Sequence, residues 1–565
     1  MKKFLIHAQN TILNENRFFS KEEQLAFQVD SDVSDIDYYI SQLINGSLSE
    51  RLLAIDIIFI KVGLTVNYLE YVGLRFAYHI RLTQMLGDKA LIPIVLIAEE
   101  TFQFLAITSD LPQILFTNGI YLMKDNPDEL KKQLSSYSKS KIKPLNNFPE
   151  FLTKLKIIPP SNYQSHHSIA NEWSLLSWSE ILEVDLNSTS SIKKENIESI
   201  LYYKYLLAKN PIHQREVPKY SNIRGIGKVL YIDDEWDKGW NLVLNKLLDK
   251  ITDVNSLQTL EISFKGLNSK QVVDACSKQI KEKDPDIIIL DLRLCDDDFN
   301  PTTKIEELTG CKILKFVKDY NPGIQVIIFS ATNKVWNLIE LQNAEADAFV
   351  LKTSPEYYLD DISNNNSITA MCDAIKKASD RKFIKTLVNI CSNISSNLQK
   401  VEPFGNREYE EFIVGLKSKL KTCLSSIKMI NQDKPATLDI VFISFYNFLE
   451  SFNKFYIYEK KDHNFYMGVE EVDFFKYYYD NGKLRNEGAF YTQGKINRPS
   501  WSVGIKALFK DYFQINSTSY SDIKMIEDMQ EIRNDYIHST KTKFTQLEVT
   551  EIANLCKKIC SNLKD

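Results

Sequence analysis

No two of the eight cysteines form a Cys-x-x-Cys pair, and none precedes Cys276. The chain lacks both the framework of a disulfide-stapled secreted domain and a thiolate zinc site, which fits a reducing compartment. Long apolar runs are missing too. The longest, such as residues 91–98, fall far short of a membrane-spanning helix. The opening Met-Lys-Lys-Phe-Leu-Ile-His is too brief an apolar stretch for a signal peptide. A cytoplasmic protein without membrane contact is expected. Excess charge of either sign is also absent: the net value is −5 over 565 residues, so nothing draws the whole chain to nucleic acid or lipid. That length exceeds what one core covers and predicts about three or four domains.

Residues 1–130 read as alternating strands and helices, with strand candidates at 4–6, 56–60, 91–98 and 119–123 and a helical stretch at 68–86. Residues 131–227 change character. Lys and Ser dominate 131–143, Pro159-Pro160 breaks the chain, and helical patterns at about 170–183 and 194–208 suggest a connector. Residues 228–365 repeat the α/β pattern, with strands at 228–232, 287–290, 324–329 and 348–351. Residues 366–565 show no strand alternation. Helices are expected at 368–391, 409–430, 437–456, 500–513, 521–539 and 545–563, the last opened by a Thr545…Glu548 capping box with Phe544 and Val549 as its staple. The fold class is multidomain α/β plus all-α: two doubly wound, flavodoxin-like parallel-sheet domains joined by a helical connector, then a helical bundle. The two α/β segments also align with each other, at offsets from 226 (Leu5 to Tyr231) to 232 (Ile94 to Val326), which suggests a structural duplicate.

One stretch organises the rest. Asp286-Ile-Ile-Ile-Leu-Asp291 is a continuous apolar run ending in a carboxylate. It suits a central parallel strand covered on both faces, with Asp291 where open α/β sheets place their chemistry. Asp233-Asp234, Ser330 and Lys352 end other strands of the same segment. Three carboxylates in one crevice repel one another and call for a cation, and an all-oxygen site with room for water suits Mg²⁺. Ser330 and Lys352 could hold phosphoryl oxygens. The chemistry that fits is attack by a carboxylate on phosphorus.

On these residues the segment resembles a response-regulator receiver domain. The resemblance implies that Asp291 is the phosphoacceptor and that Asp233, Asp234, Asp291 and the main-chain carbonyl of Arg293 hold Mg²⁺. It also implies that Ser330 and Phe349 form the switch pair, and that a sensor histidine kinase or another phosphodonor is the partner. Two features depart from the family: an acidic loop, Cys295-Asp-Asp-Asp298, that lacks the usual proline, and Thr353-Ser-Pro355 after Lys352. A receiver fold kept only for dimerisation is the competing reading. In the first segment His7-Ala8, Lys61 and Ala98 stand at the matching positions, with Lys124 apparently retained. Lys61 can neither accept phosphate nor bind Mg²⁺, so this segment reads as a degenerate receiver-like domain, or else an unrelated doubly wound one.

The second feature is Arg533-Asn-Asp-Tyr-Ile-His538, on a helical pattern whose apolar stripe is Met525, Met529, Ile532 and Tyr536. Asn534 and His538 fall nearly opposite that stripe, at about 100° per residue. The segment resembles the Arg-x4-6-His motif of HEPN domains. This implies a metal-independent ribonuclease with a site shared across a homodimer: His538 moving protons, Arg533 neutralising phosphorane charge, Asn534 orienting them. A non-catalytic helical module is the other reading. Lys483, Arg485, Lys495, Arg498, Lys506 and Lys510, interleaved with Tyr491 and Trp501, hint at an RNA surface. Residues 401–565 as a whole carry 23 basic and 23 acidic side chains and so are not basic. His166-His167 and Tyr477-Tyr-Tyr479 are weaker candidates, for phosphotransfer and for protein contact. The reading is of an effector whose Asp291, once phosphorylated, gates a C-terminal ribonuclease, a combination that resembles bacterial stress or phage defence. The alternative is a non-enzymatic signalling scaffold whose receiver gates protein binding through the helical domain.

Overall fold

The structure is a computed structural model. It describes residues 2–8, 18–29, 35–65, 67–137, 142–159, 166–186, 198–209, 211, 223–300, 303–331, 345–352, 363–401, 407–430, 437–461, 465–468, 475–480, 483–489, 499–515, 520–538 and 543–563.

In the first α/β unit five parallel strands, β1 (Lys3–Ala8), β2 (Gln24–Phe27), β3 (Ile57–Lys61), β4 (Ile94–Ala98) and β5 (Ile120–Lys124), lie in the order β2-β1-β3-β4-β5. β3 is buried along its length, and its side chains alternate between two cores. Ile58 and Ile60 join α1 (Ile36–Asn45) and α3 (Val72–Leu82) on one face, after α2 (Ser49–Ala54) has led into the strand. Ile57 and Phe59 face Phe19 and Leu130, the latter on α5 (Pro127–Tyr137), which follows α4 (Phe102–Thr108). The helix expected over 68–86 is shorter, because Tyr71 takes a left-handed φ of 46° and interrupts it. β2 is an extra strand, too short to show alternation.

The second unit has the same layout. Strands β6 (Val229–Ile232), β7 (Leu257–Thr259), β8 (Ile287–Leu290), β9 (Gln325–Ser330) and β10 (Ala348–Leu351) run in the order β10-β9-β8-β6-β7, all parallel. Ile287 and Ile289 point to one core, Ile288 and Leu290 to the other, as a doubly covered strand requires. The order reverses between β6 and β8, so the crevice at their C-terminal ends is the topological switch point.

The connecting helices are not a free linker. α6 (Phe148–Lys154) and α8 (Leu201–Lys209) contribute Phe151 and Tyr203 to the first unit's core, and α7 (His166–Leu182) contributes to both units. Asp37 of α1 is tied to Arg75 Nη1 at 2.6 Å and to His79 Nε2 at 2.9 Å, and it accepts from the backbone of Leu201 at 3.2 Å. The second unit likewise keeps α12 (Ser363–Arg381), which follows α9 (Trp240–Ile251), α10 (Ser269–Lys283) and α11 (Thr309–Tyr320). Its Ile368, Met371 and Ile375 pack with α9 against β6 and β8. The single helix expected over 368–391 is therefore two, broken at Lys382, and its first half belongs to the sheet domain rather than to the bundle.

The bundle is α13 (Phe383–Lys400), α14 (Arg407–Ile430), α15 (Thr437–Tyr456), α16 (Trp501–Ala507), α17 (Tyr520–Ile537) and α18 (Gln546–Cys560), with the Thr545 capping box in place. It is not all-helical. Two antiparallel pairs, β11 (Ile457–Glu459) with β12 (Phe465–Met467) and β13 (Phe475–Asp480) with β14 (Lys483–Ala489), leave it between α15 and α16. Their aromatic content had no clean period-two pattern to announce them. Cys556 and Cys560 are buried packing residues.

One glycine in each α/β unit fixes the approach of a helix to the central strand. Gly73 and Gly310 donate to the carbonyls of Val62 and Leu292, at 2.9 and 3.0 Å. A Cβ on Gly310 would lie 2.3 Å from the Asp291 carbonyl oxygen and 2.6 Å from Leu292 Cα. Gly310→Ala is expected to destabilise the second unit by about 1–3 kcal/mol, since backbone rather than a mobile side chain must move. Gly415→Ala on α14, where a Cβ meets nothing within 4 Å, should be neutral or stabilising by about 0.5–1 kcal/mol. Urea unfolding of the two variants checks the contrast.

Candidate functional site

β6 and β8 end side by side, with Ile232 paired to Leu290. The next residues, Asp233 and Asp291, therefore meet at the switch point. Asp233, Asp234 and Asp291 each bring a carboxylate oxygen within 4.8 Å of the others, the one such three-ligand group among the described residues. Asp233 and Asp291 are buried, whereas Asp234 is partly exposed. Lys352, just past β10, is buried between them, its Nζ 2.8 Å from Asp233 Oδ2 and 3.1 Å from Asp291 Oδ2. Asp233 also accepts from the Tyr231 hydroxyl at 2.6 Å and from the Glu235 backbone at 2.7 Å, and Asp291 Oδ1 accepts from Leu292 N at 2.6 Å. The Ser330 hydroxyl is buried and has no hydrogen-bond partner among the described residues.

The electrostatics follow from this crowding. Burial alone would raise the Asp233 carboxyl, but Lys352 and two hydrogen bonds hold it below the usual carboxylate range. Asp234 makes no such ion pair or hydrogen bond among the described residues, and Lys352 lowers it only weakly. Burial, then the negative charges of Asp233, Glu235 and Asp291, push it up to about 9. Burial disfavours the Lys352 ammonium, yet the flanking carboxylates raise it above the ordinary lysine value. The donor set is hard, all-oxygen and short of positive charge, which fits a divalent cation of the Mg²⁺ kind.

The acidic loop after Asp291 turns away from the crevice. Asp298 is buried, accepting from the backbones of Leu294 at 2.8 Å and Cys295 at 3.2 Å, and from Thr309 N at 2.8 Å. These bonds tie the loop to the start of α11. Two further groups had no signal in the sequence. The rings of Trp240 and Phe329 lie 5.3 and 5.1 Å from the Lys352 ammonium, within cation–π reach. Phe349 is half-buried on β10 against the α10–α11 core.

The equivalent place in the first unit is built from opposite charges. Ile6 pairs with Ile60 as Ile232 does with Leu290, so His7 and Lys61 stand where Asp233 and Asp291 stand. Ala98 pairs with Lys124, but Ser330 pairs with Leu351. The register therefore puts Asp125, not Lys124, at the Lys352 position. The backbone agrees: Asp125 N donates to Ala98 O as Lys352 N donates to Ser330 O. Lys124 is exposed, so the expectation that it was retained fails by one residue. Lys61 is nevertheless not a lone positive charge. Its Nζ lies 2.8 Å from Asp125 Oδ2. The ion pair of the second unit recurs with its polarity exchanged. Residues 9–123 match the family described as Inactive Receiver domain.

The first unit is therefore receiver-like, and it lacks the side chains for phosphoryl chemistry. Among solved structures the chain is similar to NtrX from Brucella abortus. The complex with ATP shares 12% identity over 36% of this chain and 40% of that one, with a TM-score of 0.19. A second NtrX structure shares 14% identity over 43% and 50%, with a TM-score of 0.20. The chain thus spans half or less of the length of these structures. No curated protein matches it.

In the bundle, Arg533 and Asn534 are brought together, Arg533 Nη1 donating to Asn534 Oδ1 at 3.2 Å. The guanidinium lies 5.4 Å from the ring centre of Tyr446. His538 is exposed just beyond the end of α17, its backbone N still bonded to Asn534 O at 2.9 Å. The expected RNA surface loses two members. Lys506 is buried and paired with Glu527 at 2.5 Å, and Trp501 is buried, stacked on Tyr446. Sequence spacing could not see that α16 turns both inward. Tyr491, Lys495 and Arg498 lie outside the described residues, as do the side chains of Lys483, Arg485, Tyr477–Tyr479 and His166-His167.

Exchanging the first unit's ion pair tests its role. Asp125→Lys alone sets two ammonium groups together and should destabilise the unit. The reversed pair, Lys61→Asp with Asp125→Lys, should recover part of the loss, and the double-mutant cycle read by thermal unfolding should give a coupling of about 0.5–3 kcal/mol.

Proposed function

We propose that the chain is a receiver-type signalling protein in which Asp291 accepts a phosphoryl group from a histidine kinase or another phosphodonor, and that the C-terminal bundle carries the output. The observation that carries this reading is the convergence of three carboxylates, one buried ammonium and one buried hydroxyl, unpartnered among the described residues, at the C-terminal ends of the second sheet's strands. Asp233, Asp234, Asp291 and the carbonyl of Arg293 are the groups that would hold Mg²⁺, which when bound supplies the positive charge a phosphoryl group needs beside these carboxylates. A carboxylate oxygen of Asp291 attacks phosphorus, and the bond to the donor's leaving group breaks as that group takes the electron pair. The Lys352 ammonium pairs with one phosphoryl oxygen and the Ser330 hydroxyl donates to another. Ser330 moves toward the phosphoryl group, and Phe349 follows as the second half of the switch.

For the output, Arg533, Asn534 and His538 support a HEPN-like, metal-independent endoribonuclease completed by a second copy of the chain. His538 would take the proton from a ribose 2′-hydroxyl, and Arg533 would offset the charge that develops on phosphorus. A scaffold role, in which the bundle docks a protein, is the second reading. It is favoured by the burial of Lys506 and Trp501, which thins the basic, aromatic surface an RNA would meet.

With an acyl phosphate and Mg²⁺ the full chain should take up one phosphoryl group. Asp291→Ala should take up none, read by intact mass and peptide mapping; label persisting in that variant would refute the assignment. Expressing wild type beside His538→Ala separates the two outputs. The nuclease reading expects growth arrest and RNA cleavage from the wild type alone. Equal growth and intact RNA in both, with or without phosphorylation, would leave the scaffold.

A further inference from the structure

Helix α7 lies outside the second unit in sequence but reaches its carboxylate site. Asn171 is 1% exposed. Its Nδ2 donates to the Glu235 carboxylate and its Oδ1 accepts from Trp240 Nε1 at 2.8 Å. Glu235 in turn donates its backbone N–H to Asp233 Oδ1, so Asn171 is two bonds from a carboxylate of the cluster. Trp178, seven residues on, lies within about 20° of Asn171 around the helix. Its ring packs against Trp240 at 5.5 Å and Phe329 at 5.4 Å, and these are the two rings beside the Lys352 ammonium. Trp178 Nε1 donates to Ser367 Oγ of α12 at 3.1 Å. The opposite face of α7 belongs to the first unit: Trp173 and Leu176 sit in its core, and Glu172 accepts from the Tyr203 hydroxyl of α8 at 2.7 Å.

A buried amide is tolerable only with both ends bonded. Asn171 is therefore fixed by its partners, and in return it holds Glu235 and Trp240 on either side of the site. We propose that α7 is a positioning element of the Asp291 site: Asn171 sets the loop that carries the acid pair, Trp178 sets the rings around Lys352, and the first unit holds both in place. The inactive unit thus acts in cis on the chemistry of the active one. This rests on the reading of Asp291 as a Mg²⁺-dependent phosphoacceptor. If Asn171 served packing alone, its loss would lower stability and leave cation affinity unchanged.

The test is Mg²⁺ titration of the full chain, followed by calorimetry, with acyl-phosphate labelling of Asp291 in parallel. Asn171→Ala should weaken Mg²⁺ binding about tenfold, the size of effect seen when a group behind a metal ligand is removed, and should raise the Mg²⁺ needed for half-maximal labelling by a similar factor. Tyr203→Phe, on the far side of α7, should shift both in the same direction by a smaller factor, about two- to threefold. It also serves where Asn171→Ala fails to fold. A Mg²⁺ affinity equal to wild type in both variants overturns the proposal while leaving the phosphoacceptor reading intact. Failure of the wild type itself to bind Mg²⁺ or take label at Asp291 overturns that reading, and the proposal with it.

Discussion

Three carboxylates and one ammonium share a crevice, and the second unit is arranged to make that tolerable. Asp233 and Asp291 are both met by Lys352. Asp234 is not, and it keeps its partial exposure. The Lys352 ammonium would be costly to bury on carboxylates alone. Trp240 and Phe329 present ring faces to it, and those rings need a wall of their own, which is Trp178 from α7. The chain of support runs from charge to ring to helix, and it ends in a segment that also belongs to the first unit. The two sheets are thus joined through the site's own scaffolding, not by a tether.

The first unit shows what remains when the chemistry is removed and the architecture is kept. Strand order, register and the close-packed glycine are the same in both copies. A charge pair is kept as well, with Lys61 buried and Asp125 exposed, and the two exchange the roles of Asp291 and Lys352. A plain loss of function would have allowed apolar residues at both positions. Keeping an ion pair of reversed sign preserves the link between the ends of β3 and β5 while placing an ammonium where Asp291 stands in the second unit.

Much of this was legible in the sequence, because buried parallel strands leave continuous apolar runs and Asp291 closes one of them. The short strands β2 and β7, of four and three residues, carry no such signal. The counterpart of Lys352 was misplaced by one residue, since alignment by side-chain type favours Lys124, whereas hydrogen-bond register places Asp125 there. Asn171 and Trp178 were out of reach for another reason. They read as one polar and one aromatic residue on a connector, and only the packing of α7 against α9 shows what they hold. In the bundle, the motif spacing of Arg533 and His538 was plain, but the inward turn of Lys506 and Trp501 depends on how α16 meets α15 and α17.

The position of the bundle constrains how a change at Asp291 can reach it. α13 docks at the opposite end of the sheet, where Lys385 meets Asp284 at 2.9 Å and Asp286 at 3.1 Å, just before β8 begins. Gly323, just before β9, lies so close that a Cβ there would stand 2.4 Å from Lys385 N. The Asp291 site and this docking point are thus separated by the full depth of the strands, which do not slide individually in a hydrogen-bonded sheet. α12 spans that depth. Its Ser367 touches Trp178 near the site, its 19 residues cover about 28 Å at 1.5 Å per residue, and it passes through Lys382 directly into α13. Near its end the Asp380 carbonyl accepts from Gln546 of α18 at 3.2 Å. Trp178, which walls in Lys352, is thus linked through α12 to the start of the bundle at α13.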